Sequence, residues 1–112
     1  MKRIFHSGSS VVTGSELADA VMYYAEALST WSRVDVVDIP VLGKTGLPGR
    51  AQFLIGAFSQ LVCVTADSVR EELVDSEMSD DLRRKALSCT ASGRVSWTGD
   101  GLDSPQFDEF DY

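Results

Sequence analysis

Residues 50–66 read RAQFLIGAFSQLVCVTA, the most apolar run of the chain and the stretch whose reading decides the fold. Ala51–Ile55 and Gln60–Val64 are short, rich in aromatic and β-branched residues, and broken by Gly56, Ala57, Phe58 and Ser59. Run length and a glycine at the break favour two strands over one buried helix. Leu61, Val62, Cys63 and Val64 are apolar on both faces of such a strand, which predicts cover on both sides. Strands need partners for every N–H and C=O, so the rest of the chain must supply neighbouring strands and a covering helix.

Working outward, 34–42 (VDVVDIPVL) is β-branched enough for a third strand. Pro40 cannot donate to a ladder, so this strand is expected at an edge or to end near Ile39. The turn-rich 43–49 (GKTGLPG) then returns the chain, predicting an antiparallel meander of three strands. Before it, Leu17, Val21, Tyr24 and Leu28 recur at spacings of four, three and four, and with Ala18 and Ala25 form one apolar stripe. Thr13 with Glu16 three residues on has the capping-box pattern, so a helix is expected over 14–30. Lys2–His6 reads as a first strand, followed by the polar turn Ser7-Gly8-Ser9-Ser10.

After Ala66 the apolar faces narrow and the charge rises. Asp67 or Ser68 is expected to cap a short helix through Val69, Leu73 and Val74, and Ser79 another containing Leu82, Ala86 and Leu87, both lying on the sheet. Residues 93–98 (GRVSWT) suggest a last short strand, and the end, GDGLDSPQFDEFDY, has no period. The expectation is a single α+β domain over 1–103. Its β-α-β-β-β core forms a mostly antiparallel sheet covered by one long helix, with short charged C-terminal helices. An irregular acidic-aromatic tail follows at 104–112.

With 112 residues the chain is long enough for one core. No run approaches the roughly 18 apolar residues of a membrane span, and MKRIFHSG is no secretory leader, which points to a cytoplasmic protein with Cys63 and Cys89 reduced. The net charge of −7 is uneven: residues 1–66 hold five basic and five acidic side chains, residues 67–112 five and twelve. An acidic surface repels phosphate backbones and argues against nucleic acid.

The lone His6 and the absence of a G-x-S-x-G elbow leave no catalytic set. Two cysteines 26 apart with one histidine make no zinc cluster, and Asp75, Glu77, Asp80 and Asp81 lack calcium-loop spacing. No cofactor is called for. Two segments stand out. Strand, Ser/Thr/Gly loop and helix N-terminus in sequence can hold an anion, making His6, Ser7, Ser9, Ser10, Thr13 and Ser15 candidate ligand residues. The piece Thr13-Gly14-Ser15-Glu16 resembles the phosphate loop of flavodoxins over about fifteen residues. That resemblance implies a phosphate cradle, but Val11 and Val12 occupy the loop and no helix follows the second strand. The second segment is the tail, where Phe107, Phe110 and Tyr112 alternate with acids in the manner of a docking peptide, with Trp97 as a further contact. The favoured expectation is a non-enzymatic interaction module, self-associating or bound to a basic protein partner; the alternative is a binder of a small anionic metabolite or nucleotide at the Ser/Gly loop.

Overall fold

A computed structural model describes residues 1–67 and 71–99, with side-chain detail for 1–67 and 71–89. The element order is β1 (Lys2–His6), β2 (Ser9–Thr13), α1 (Ser15–Thr30), β3 (Val34–Leu42), β4 (Pro48–Gly56), β5 (Leu61–Thr65) and α2 (Ser76–Gly99). All strand pairs are antiparallel, in the spatial order β4-β3-β2-β1-β5. The domain is thus α+β, with one five-stranded antiparallel sheet and two helices.

The polar turn is shorter than its composition suggests. Only Ser7 and Gly8 turn the chain, with φ of 49° and 84°, the left-handed pair that joins strands with native twist. Ser9–Thr13 is therefore a strand, registered against β1 from His6↔Ser9 to Lys2↔Thr13, and Val11 and Val12 belong to the sheet rather than to a loop.

Helix α1 forms where its stripe predicts. Leu17, Ala18, Ala20, Val21, Tyr24, Ala25 and Leu28 are buried, against Ile4 of β1, Val37, Ile39 and Val41 of β3 and Ile55 of β4. Its cap differs from the expected one. The N-cap residue is Gly14 and carries no side-chain bond, while the buried Thr13 hydroxyl donates to the Pro40 carbonyl at 2.7 Å. The free helix N–H of Ser15 is met instead by Glu72 Oε1 at 2.7 Å, 57 residues away. The same carboxylate takes the Met1 ammonium.

Strand β3 runs through Pro40 to Leu42 and is not an edge, because proline's missing N–H falls on the side facing β2. There the ladder is reduced to one register pair, Val12↔Leu42, while β3 and β4 pair fully from Val34↔Gly56 to Leu42↔Pro48. The expected meander does not close either. β4 and β5 are the two edges of the sheet, yet only Ala57–Gln60 separate them. Ala57 N still donates to Arg33 O at 2.9 Å, and a left-handed Phe58 then turns the chain away toward β1. Five Cα steps span at most about 18 Å, whereas four strand spacings in a flat sheet measure about 19 Å, so the sheet must curl until its ends meet.

Past Ala66 the expectations need three corrections. Residues 71–75 are irregular rather than helical, residues 68–70 lying outside the described set. One long helix replaces the second short helix and the GRVSWT strand; it starts at Ser76, with the Asp75 carboxylate accepting from Met78 N at 3.1 Å, so Ser79 is interior, not a cap. Finally, α2 packs through Leu82, Ala86 and Cys89 on α1 rather than on the sheet, giving three layers: sheet, α1, α2. The tail at 104–112 lies outside the described residues.

Candidate functional site

The Ser/Gly segment is the first candidate site. The strand–loop–helix cradle is not assembled, because β2 separates its two ends by a full strand length. Ser7 and Ser9 sit at the hairpin tip, where Ser9 Oγ donates to His6 O at 3.2 Å. Ser10 Oγ accepts from Arg3 Nη1 at 3.0 Å. Thr13 is spent on Pro40, and Ser15 on Glu72, which its hydroxyl also reaches at 3.3 Å. The helix N-terminus that was to hold an anion already holds one, the Glu72 carboxylate. The Met1 ammonium beside it, then the Ser15 N–H, hold that carboxyl below its ordinary pKa. The sheet is wholly antiparallel, so the flavodoxin resemblance does not extend to the parallel fold that places such a loop.

His6 has a different role. Its Nε2 donates to the Leu54 carbonyl at 2.7 Å, and its ring lies tilted over Phe53 with centroids 5.4 Å apart. It ties the end of β1 to the outer side of β4, closing the curled sheet. Beneath it is a gap of about 110 Å³ lined by Ile4, Ser9, Val11, Ala51 and Phe53 among others.

The second place is the sheet face turned away from the helices. Alternation along the strands decides what it carries. Inward positions are Ile4 on β1, Val37, Ile39 and Val41 on β3 and Ile55 on β4, all buried. Outward positions would be polar in a sheet with one wet face. Here Phe5, Val34, Val36, Leu54, Val62 and Val64 stand outward and between 43% and 56% exposed, and Phe58, in the connection after β4, is fully exposed. The register sets them side by side: Phe5↔Val62, Val36↔Leu54. Curling brings them together in an open groove of about 760 Å³ whose walls include Phe5, Val34, Leu54, Phe58 and Val62. The expectation that Leu61–Val64 would be covered on both faces is thus corrected: among the described residues β5 is an edge strand with one face covered. On the same face Arg50 Nε meets Asp38 Oδ1 at 3.0 Å.

A third cleft, of about 630 Å³, opens between the end of α1, the start of β3 and α2. Within it Tyr24 OH donates to Asp35 Oδ2 at 2.5 Å, and Arg33 Nη1 lies 3.9 Å from Cys89 Sγ. Burial and the Asp35 carboxylate push the Tyr24 phenol well above its usual pKa. Burial also raises the Cys63 thiol, opposite to what an activated nucleophile needs. Among the described residues no group of three or more His, Cys, Asp or Glu is placed to hold a metal ion, and no helix is long and apolar enough to cross a membrane. The Trp97 side chain and Phe107, Phe110 and Tyr112 lie outside the described residues.

The outer groove is the feature that sequence reasoning missed. The signal was present in the even spacing of Val34, Val36 and of Val62, Val64, but assigning it to an uncovered face required knowing which strand is central. Comparison with known proteins finds no matching family model, no matching curated protein and no matching solved structure.

Proposed function

We propose that this chain is a non-enzymatic protein-interaction module whose association is with another polypeptide, a second copy of itself first. The observation that carries the reading is the apolar outer sheet face. The aromatic Phe5 and Phe58 offer up to roughly 150–250 Å² each and the four valines and Leu54 less, so the seven together present on the order of several hundred Å², a large part of the roughly 800 Å² per partner of a standard interface. Single exposed apolar residues are ordinary on a monomer; a cluster of seven, five of them lining one groove, is the pattern of a contact surface.

The anion-binding reading has less behind it, because Ser15 and Thr13 are committed to internal partners. Sedimentation equilibrium tests the favoured reading. The full chain is expected to associate, and Val62→Lys, which places a charge in the groove wall, is expected to remove that association while leaving the circular dichroism spectrum unchanged. A chain ending at Ser104 tests in the same experiment whether Phe107, Phe110 and Tyr112 belong to the contact. A full chain that stays monomeric up to about 100 µM, a hundredfold above a micromolar dissociation constant, and binds no polypeptide would overturn the proposal.

A further inference from the structure

Strand β5 pairs with β1 on one side, and among the described residues no strand borders its other side. The phase of the ladder tells which backbone groups are left over. Ala66 N donates to Met1 O at 3.0 Å, and the β1–β5 register, carried one residue on, sets Met1 opposite Ala66. Directly opposed residues in an antiparallel pair alternate between hydrogen-bonded and non-hydrogen-bonded. Arg3↔Val64 and Phe5↔Val62 are then the hydrogen-bonded pairs. Leu61, Cys63 and Thr65 accordingly direct both N–H and C=O toward the open edge.

Such a row is a template for another strand, and proteins that stay monomeric blunt it with charge, proline or a bulge. The other edge is treated in that way: β4 begins Pro48-Gly49-Arg50, and its Leu54 carbonyl is taken by His6. The sequence of β5, LVCVT, has no charge, no proline and no break.

We infer that a second copy of this chain adds to β5, antiparallel, about a twofold axis through the Cys63 pair, joining two five-stranded sheets into one of ten strands. The inference rests on the self-association reading above and names its partner and geometry. The strand is complementary to itself about that axis. Leu61 falls opposite Thr65 of the second copy, and Val62 opposite Val64, so the outward valines of the two copies pack on each other. No charged residue lies in the paired segment. Continued two residues further, the register sets Asp67 opposite Ser59, and acid does not meet acid.

Cys63 supplies both tests. Its N–H points to the open edge, so Cys63→Pro removes no bond to β1 but blocks addition of a strand. Sedimentation equilibrium is run on the full chain and on Cys63→Pro. In parallel, a Cys89→Ser chain is treated with a short-spacer bismaleimide. The expected result is a dimer with the full chain, at least a tenfold rise in the dissociation constant with Cys63→Pro, and a covalent dimer joined through Cys63. A dimer that persists in Cys63→Pro and resists cross-linking overturns edge pairing while leaving self-association standing. A monomeric full chain overturns both. Should Cys63→Pro not fold, the cross-link alone decides.

Discussion

Ile4 shows how much one side chain holds here, since it is fully buried and faces α1 from a strand paired on both sides. Ile4→Ala is expected to cost about 2–5 kcal/mol, the range for a large-to-small change in a tight core, read as a fall in the urea midpoint. Thr13 is also fully buried, and its hydroxyl supplies Pro40's carbonyl with the partner that the interrupted β2–β3 ladder does not. Thr13→Val keeps the shape and leaves that acceptor unmet, so a loss of about 1–3 kcal/mol is expected in the same measurement. Ser79 stands in the opposite condition: it is buried within α2, and among the described residues its hydroxyl has no hydrogen-bond partner. Ser79→Ala removes a desolvated polar group and improves helix propensity, and is expected to raise stability by about 1 kcal/mol.

At the scale of elements, the N-terminus of α1 is held from outside its own sequence. Gly14 makes this possible, since a Cβ there would come within 1.7 Å of the Leu73 carbonyl oxygen; Gly14→Ala must push 71–75 away and take the Glu72 carboxylate with it. The Glu72 contribution has a defined pH dependence. Its pKa is lowered on folding, so the unfolded chain binds more protons over the interval between the two values, and stability there rises with pH. The contribution is complete above the ordinary carboxyl range and is lost as pH falls through the depressed value. Thermal midpoints measured from neutral to acid pH are expected to fall less steeply below about pH 4 in Glu72→Gln, which starts from a lower value at neutral pH. This long-range cap marks the boundary of what sequence could reveal. The stripe of Leu17, Val21, Tyr24 and Leu28 is local and periodic, and it was legible. So were the strands at 34–42, 51–55 and 60–64, within a few residues at their ends. The partner of Ser15, 57 residues distant, has no local signature. Capping chemistry at Thr13 pointed to the wrong group because Pro40 offered the hydroxyl a stronger need. The pairing of β5 was equally hidden: a four-residue link between two strands reads as a hairpin, and only the curl of the whole sheet sends the second strand to β1.

Taken as a whole, the molecule stacks both helices on one side of the sheet and, among the described residues, leaves the far face uncovered. The anion cradle depended on one short segment being a loop; the binding face depends on all five strands and could be seen only after their order was known. If the outer face is buried on association, dilution should expose it: binding of a hydrophobic dye is expected to rise as the chain is diluted through its dissociation constant, and to be independent of concentration in a permanently monomeric protein. The placement of β5 beside β1 also has a temporal side. During synthesis the β1–β2 hairpin can form as soon as it emerges, but the strand that completes its far side follows some 55 residues later. At roughly 5–20 residues per second that is an interval of about 3–11 s, during which β1 presents an open edge to every neighbouring nascent chain. The rate at which this fold is completed is then set by the ribosome as much as by the sheet.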